Sequence, residues 1–456
     1  MEKLGIPTVV VSYADMESVV KKSSLTKEVA LPNARIVIDA TRGKGGDKTA
    51  QTVAGCIKAL TNPLTDKEKY AGEFKLPPEP RILFTGDYED AMAVLEGDLS
   101  RFTQTAAVAE YTDGSPVKLP TEEAVARMLK GTSHKPNEVV GPILPSNNPA
   151  TVEVIAANAV MAGCKPEQMP LLLALTEAMS HTDVAEALFG ASGTFRFGAV
   201  VNGPIAKEIG LNTGGPGLSG PAPLTPGVPA NTSIGRFIRL VMRNIGDIVP
   251  GGNEAKGTGN PAKTSFVVAE ANDESPWPQM STDWGFKDKE NTVTFFVFWG
   301  DQLTGVRQRY NGPVADKILV NNLGRLVEGA KGLSRSQQGL VITISPGQAQ
   351  ALAAAGYSRQ DVKKWISESC VDPYSKANQM GLGTGVVGTL FSIQGKPINP
   401  SGNWPPEWKD PKFDPNTVVK YYPNPDAITI IVFSHESYSM IMNGTPRWTV
   451  SVDKWR

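Results

Sequence analysis

The chain has 456 residues, of which 40% are hydrophobic and 20% charged, and its formal net charge at pH 7 is -1. A single hydrophobic core normally stops growing at about 250–300 residues, so two or three domains are expected. The balanced charge leaves no basic excess for neutralising phosphates, which argues against a nucleic-acid partner. No apolar run reaches the roughly 18–20 residues that span a bilayer, and no secretory signal is visible, so we expect a cytoplasmic protein without a membrane partner.

The cysteines and histidines are few. Cys56, Cys164 and Cys370 lie far apart and lack the C-x-x-C spacing of metal and redox motifs. An odd number of cysteines fits neither a disulfide framework nor a zinc site, so reduced thiols are expected. A histidine-built metal centre would need nearly all of the three histidines in the chain. No metal ligand is therefore assigned, and the sequence identifies no cofactor.

The opening residues predict one βαβ unit. Short β-branched runs at 5–11 and 34–39 are typical of buried parallel strands, and residues 15–30 between them are long enough for a helix. One such unit is too small to fold alone. We therefore expect this incomplete, Rossmann-like sheet to be completed by later segments or by another chain.

The rest of the chain predicts two further α/β units. Helices are predicted at 89–102, 121–130, 151–162, 167–180, 234–245 and 347–354, with another starting at Ser358; strands are predicted at 265–269, 292–298, 339–344 and 427–433. The fold class is therefore multi-domain α/β. We expect a partial Rossmann-like domain at 1–105, a central α/β domain at 106–305 and a C-terminal α/β domain at 306–456.

Cys164 is a candidate catalytic nucleophile. It follows a glycine and precedes a predicted helix, whose positive N-terminal end can lower the pKa of a thiol. The alternative is a small buried hydrophobic residue in a helix-to-helix corner. Asn158 lies on the apolar helix before it, where it must find a polar partner, either a substrate or a neighbouring helix.

Residues 202–231 form a segment dense in glycine and proline. This connection is far longer than the usual 4–6 or so residues, and such loops often bind ligands. The backbone N–H groups at Asn212, Gly214 and Gly215 could hold an anion, and Asn202 and Asn231 border the loop. Substrate binding is the predicted role, and a structural loop is the alternative.

Three further side chains are candidates. Arg236 could bind a carboxylate with two hydrogen bonds, although a row of arginines on a solvated helix face is the alternative. Glu270 follows a predicted strand and is a candidate substrate ligand or acid/base group, with a surface salt bridge as its alternative. His435 and Glu436 place an imidazole beside a carboxylate at the end of the strand 427–433, so we expect catalytic roles for them.

Seven strings, in the same order, resemble the UGSC family of (seleno)proteins. They are GIPTVVV, TDGSPVKLPTEEAVARML, TVEVIAANAVMAGCKPEQMP, VNGPIAKEIG, ANTSIGRFIRLVMRNIG, AEANDESPW and SHESYS. Members of that family begin with a part that carries Sec-Gly-Ser-Cys or Cys-Gly-Ser-Cys, reminiscent of the selenoprotein component of glycine reductase. That motif is missing here, so the resemblance implies the larger subunit of a split member.

The resemblance implies a thiol- or selenol-linked enzyme without defining its substrate. We expect a heteromeric enzyme subunit that acts on a small organic molecule by addition, elimination or cleavage at a carbon–heteroatom bond. Such an enzyme would be a lyase, a hydrolase or a thiol-dependent oxidoreductase. The expected partner is a smaller Cys-containing subunit within a higher oligomer. The alternatives are a noncatalytic scaffold subunit and a metal-dependent hydrolase.

Overall fold

A computed structural model describes residues 9–12, 36–38, 49–63, 81–96, 111–181, 196–213, 230–249, 266–304, 323–333, 339–379, 391–398, 413–433 and 439–456. These ranges form a mixed α/β fold with eleven α-helices and 14 β-strands. No helix within them is long and apolar enough to cross a membrane.

The α-helices are α1 (Thr49–Thr61), α2 (Tyr88–Glu96), α3 (Glu122–Leu129), α4 (Val152–Ala162), α5 (Met169–Ser180), α6 (Ile205–Glu208), α7 (Ala230–Asn244), α8 (Gly324–Leu333), α9 (Pro346–Ala354), α10 (Arg359–Ser369) and α11 (Tyr374–Gln379). The strands are β1 (Val10–Ser12), β2 (Ile36–Ile38), β3 (Val139–Ile143), β4 (Asn148–Thr151), β5 (Arg196–Asn202), β6 (Val267–Ala269), β7 (Thr292–Thr304), β8 (Leu340–Ile344), β9 (Val371–Pro373), β10 (Phe391–Ile393), β11 (Lys396–Ile398), β12 (Val418–Lys420), β13 (Ile428–Val432) and β14 (Ser439–Ser451).

Capping residues fix several helix ends at the positions that the sequence predicts. The Thr121 and Thr151 side chains accept hydrogen bonds from backbone N–H groups in the first turns of α3 and α4. Ser358 forms a capping box with Asp361 at the start of α10. Gly163 ends α4 with φ of 83°, in the left-handed region that favours glycine.

The largest sheet has six strands in the order β13-β8-β14-β7-β5-β6. Its centre is the antiparallel pair of long strands β7 and β14. The parallel pair β5 and β6 lies along β7, and the parallel pair β8 and β13 lies along β14. Every residue of β5, β8 and β13 is buried. The largely apolar sequences of β8 and β13 are typical of buried strands, whereas β5 also buries Arg196 and Asn202 at its ends.

The sheet is curled, so that its two edges meet at one corner. The backbone N–H of Ala271, just after β6, donates a 2.8 Å hydrogen bond to the carbonyl of Val432, the last residue of β13. Inside the curl, side chains from both halves form one apolar cluster, which includes Val200, Phe298 and Ile431. The carboxyl ends of β5, β6 and β13 therefore lie close together.

Helices cover the outer side of the curl in two groups. Helices α4, α5 and α7 pack on the half that contains β5, β6 and the first part of β7. Helices α8, α9 and α10 pack on the half that contains β8 and β13. The predicted strands 339–344 and 427–433 and the predicted helices around 151–162, 167–180 and 234–245 are thereby confirmed.

Strand β14 was not predicted, although it lies at the centre of the sheet. Its sequence contains Gly444 and Pro446, which read as turn residues. In the structure β14 carries irregularities next to both of them, at Asn443/Gly444 and Pro446/Trp448, and proline is tolerated at such bulges. Gly444 and Pro446 therefore introduce irregularities into β14 without ending the strand.

The structure describes only part of what bears on the three predicted domains. Strands β1 and β2 pair in parallel, as a βαβ unit requires, while the predicted helix at 15–30 lies outside the described residues. Residues 106–305 and residues 306–456 each supply three strands to the six-stranded sheet. The division at 105 falls outside the described residues, and the three-domain layout stays a prediction.

Substitution of Gly198 would measure how tightly the side chains inside the curled sheet are packed. A Cβ atom added there would lie 2.5 Å from the carbonyl oxygen of Phe266 and 2.9 Å from the Phe298 ring. We expect Gly198→Ala to lower the free energy of unfolding by about 1–3 kcal/mol, the usual cost of overpacking. Gly347 in α9 has no atom near the same position, so Gly347→Ala should change stability by no more than about +1 kcal/mol. Urea unfolding of both variants gives the comparison, and equal stabilities would contradict tight packing at Gly198.

Candidate active-site cleft

The carboxylate of Glu270 lies where the ends of β5, β6 and β13 meet. Its Oε1 accepts a 2.6 Å hydrogen bond from Nη2 of Arg359. Its Oε2 accepts hydrogen bonds from Nδ2 of Asn202 at 2.5 Å and from the backbone N–H of Met280 at 2.7 Å. The Glu270 side chain has no solvent exposure, and that of Arg359 has 7%. This is a buried ion pair with additional donors on the acid.

Two longer contacts complete the surroundings of this carboxylate. Nδ2 of Asn272 lies 3.4 Å from Oε2, and the backbone nitrogen of Val432 lies 3.4 Å from Oε1. An ionised carboxylate has about four lone-pair positions, and these donors occupy them. Glu270 is therefore placed to hold three strand ends together. Its salt bridge is buried and not on the surface, and its role as a substrate ligand stays a prediction.

Arg359 is not among the site residues that the sequence predicts. It is the first residue of α10, and its guanidinium lies 5.9 Å from the centre of the Trp277 ring. A cation at the positive N-terminal end of a helix is unfavourable unless an acid compensates it. The positive charge of Arg359 directly after the N-cap Ser358 was therefore the feature of the sequence that indicated a nearby acid.

A cleft of about 180 Å³ opens beside Glu270. Its walls are formed by Gly203, Pro204, Ala206, Lys207, Thr213, Glu270, Ala271, Asn272, Asp273, Glu274 and Lys289. Most of them belong to two of the strings noted above, VNGPIAKEIG and AEANDESPW. The cleft thus lies beyond the carboxyl ends of the parallel strands β5 and β6, where open α/β sheets commonly bind ligands.

Hydrogen bonds fix the two main walls of the cleft against each other. The backbone N–H of Gly203 donates to Oδ1 of Asn272 at 3.0 Å. Gly203 has φ of 88°, and a Cβ atom there would lie 2.7 Å from both Oδ1 of Asn291 and the carbonyl oxygen of Glu290. Only glycine permits this conformation and this close approach. On the cleft surface, the exposed Lys207 and Asp273 form an ion pair.

The first described part of the glycine-rich segment ends at the cleft. Thr213 lines the cleft and forms a parallel bridge with Ala269. The backbone N–H of Asn212 donates to Oδ1 of Asn231, whose Nδ2 donates to the carbonyl of Val267. Asn231 therefore ties α7 to β6 through its own amide. The other predicted anion-binding positions, Gly214 and Gly215, lie outside the described residues.

The predicted pair His435 and Glu436 also lies outside the described residues. The described range before this pair ends at Phe433, whose backbone N–H donates to the carbonyl of Ile344. Val432, one residue earlier, is in contact with Glu270. The catalytic role of this pair stays a prediction.

Cys164 lies in a different environment from the cleft. It is 8% exposed and belongs to the apolar cluster beneath α4, α5 and α7. Burial raises the pKa of its thiol well above the usual range, against a smaller opposing effect of Lys118. The helix-end effect expected to favour the thiolate is overcome by the loss of solvent, so the structure favours the alternative of a small buried hydrophobic residue.

Asn158 and Arg236 contact other parts of the chain. Asn158 accepts a 2.8 Å hydrogen bond from Nδ2 of Asn244 and so links α4 to α7. Arg236 donates two hydrogen bonds to the carboxylate of Asp113 and two more to the carbonyls of Ser115 and Pro116. The carboxylate expected beside Arg236 is thus supplied by the chain itself.

The alternative of a solvated face for the arginines of α7 is wrong, because two of them are buried. Arg239 and Arg243 are 8% and 6% exposed. Burial lowers the pKa of Arg239, partly offset by the charge of Asp113.

Comparisons with protein-family models, with curated proteins and with solved structures found no match to this chain. The resemblance in the seven strings therefore stays a prediction. Within the described residues, no group of three or more His, Cys, Asp or Glu side chains is arranged to hold a metal ion.

We expect Cys164 to be unreactive in the folded protein. A buried thiol with a raised pKa provides almost no thiolate at pH 8, whereas Cys56 is half-buried. Peptide mapping after iodoacetamide treatment should show modified Cys56 and unmodified Cys164, with both modified in urea. Fast native labelling of Cys164 would restore it as a candidate nucleophile.

We expect Glu270→Gln to destabilise the protein by about 3–5 kcal/mol, because the change leaves the buried Arg359 without its counter-charge. Replacing Arg359 with Met in the same chain should recover part of that loss, as measured by a double-mutant cycle of unfolding free energies. Asp273→Asn, in the exposed pair with Lys207, is the control and should cost less than about 1 kcal/mol. Equal effects at the two acids would contradict a structural role for Glu270.

Proposed function

We propose that this chain is a subunit of a heteromeric enzyme and that the cleft beside Glu270 binds its small organic substrate. The observation that carries the proposal is the buried Glu270–Arg359 pair at the junction of three strand ends. Burying an ion pair is costly unless its geometry is good, so this pair is weak evidence for stability, and we infer that its role is to fix local geometry. Here that geometry fixes the walls of a cleft.

The positions of the predicted site segments support the same cleft. Asn202, Glu270 and the start of the glycine-rich segment at Thr213 come together there. The strand that leads to His435 ends against Glu270. A reaction at a carbon–heteroatom bond, by addition, elimination or cleavage, needs acid/base groups of the kind that His435 and Glu436 would supply.

The thiol of such a reaction would come from another chain. The buried Cys164 with its raised pKa is unsuited to that role. A smaller subunit with a Cys-Gly-Ser-Cys motif would supply it, and the parallel pair of β1 and β2 is the segment that such a subunit would complete. On this proposal the N-terminal unit, residues 106–305 and residues 306–456 are the three domains, and the complex is cytoplasmic.

A noncatalytic scaffold is the second candidate. It is favoured by the saturated hydrogen bonding of Glu270, which leaves that carboxylate no lone pair for a substrate proton. On this reading the cleft has no ligand, and the chain only holds its partner.

Purification of the tagged chain at its native expression level tests the proposal. We expect an equimolar smaller chain containing Cys-Gly-Ser-Cys, identified by peptide sequencing. The pair, and neither chain alone, should convert small molecules in a cell extract, as followed by mass spectrometry.

Charge reversal in the cleft, Asp273→Arg, should abolish that conversion. Glu368→Arg on the exposed side of α10 makes the same charge change away from the cleft and should leave the conversion intact. Full activity of the chain alone would overturn the split-subunit proposal. A stable but inactive pair would favour the scaffold, and an active Asp273→Arg variant would remove the cleft from the reaction.

A further inference from the structure

Some charged side chains around the cleft have an oppositely charged partner among the described residues, and one does not. Glu270 is compensated by Arg359, and Lys207 by Asp273. Glu274 also acts on Lys207, since both acids raise the pKa of that amine. Lys289 lines the cleft, and its side chain has no ion pair or hydrogen bond with any other described residue. Among the described residues, no acid forms an ion pair with Lys289, whose side chain is exposed at the cleft.

The backbone holds Lys289 in this position. Its φ is 64°, in the left-handed region that lysine seldom adopts. Three contacts fix the surrounding turn: Nε2 of Gln279 donates to the carbonyls of Lys287 and Glu290, and the backbone N–H of Gln279 donates to the carboxylate of Asp288. Left-handed residues outside glycine persist where the surroundings enforce them, and they concentrate at ligand sites.

The turn that carries Lys289 is also linked to the buried ion pair. Met280, which follows Gln279, donates its backbone N–H to Oε2 of Glu270. The carbonyl of Glu290, which follows Lys289, lies against Gly203 of the opposite wall. Glu270 is therefore connected through Met280 and Gln279 to the turn that carries Lys289.

We propose that the cleft binds a small organic carboxylate that also carries a hydrogen-bond donor, with the carboxylate on Lys289 and the donor on Asp273 or Glu274. The ammonium group of Lys289, which has no partner among the described residues, can donate a charge-assisted hydrogen bond to a carboxylate. The two acids beside Lys207 offer acceptors for a hydroxyl or amine. A volume of about 180 Å³ lies below the roughly 300–1,000 Å³ of pockets for drug-sized ligands, so the ligand is small.

The inference rests on the proposed function, because it names the substrate class of the same cleft. It is tested by binding alone, with the full chain and without a partner or turnover. A failure to bind carboxylates therefore leaves the subunit proposal standing, while an inactive complex leaves the binding result standing.

The probes are glycerate, propionate, glyceramide and inorganic phosphate, titrated to 100 mM in ligand-observed NMR. Glycerate has both features, propionate lacks the hydroxyl donors, glyceramide lacks the charge, and phosphate is an anion without a carboxylate. We expect glycerate to bind at least about tenfold more tightly than propionate or glyceramide, the scale of one charge-assisted hydrogen bond. Phosphate should bind no more tightly than propionate.

Variants in the turn that carries Lys289 test whether this residue binds the carboxylate of the ligand. Lys289→Asn removes the charge with a residue that tolerates the left-handed backbone, and it should weaken glycerate binding about tenfold or more. Lys289→Arg should restore it. Lys287→Asn is the matched control, because Lys287 lies in the same turn, is exposed and does not line the cleft.

Each remaining outcome would overturn the inference. These are no binding of any probe, binding of propionate or of glyceramide as tight as that of glycerate, tighter binding of phosphate than of glycerate, and equal loss in the Lys287 and Lys289 variants. An unchanged thermal midpoint of Lys289→Asn would show that lost binding is not lost folding.

Discussion

The buried charge of Glu270 is the constraint on which the organisation of this protein depends. A carboxylate with no solvent exposure is tolerated only when opposite charge and hydrogen-bond donors surround it. Those donors come from Asn202 at the end of β5, from the segment after β6, from the end of β13 and from α10. Meeting that requirement brings together four parts of the chain that are far apart in sequence.

The curled sheet makes this meeting possible. The long strands β7 and β14 form its centre, and the irregularities next to Gly444 and Pro446 lie on the strand between the two halves. Apolar side chains from both halves fill the inside of the curl. Apolar burial therefore provides the driving force, and the Glu270–Arg359 ion pair joins the strand ends that meet at the mouth of the curl.

Polar side chains elsewhere show how readily a protein uses its own groups as partners. Arg236 has Asp113, Asn158 has Asn244, and Asn231 joins α7 to β6. Residues of the types that bind substrates serve here as internal ties, because buried polar groups must be satisfied. The charged side chains at the cleft include Lys207 in α6 and Asp273 and Lys289 on the neighbouring loops.

The sequence by itself determined the local elements: the apolar runs of β8 and β13, the buried helix α4, its end at Gly163 and the cap at Ser358 were predictable, because periodicity and capping act over a few residues. Asn202 and Glu270 were also recognised as candidates. The tertiary structure alone decided that Glu270 meets Arg359, 89 residues away, that Cys164 is buried, and that 439–451 is a central strand despite its turn residues. Such outcomes depend on which distant surfaces pack together, and packing can override both a helix-end effect on a thiol and the local preference of glycine and proline.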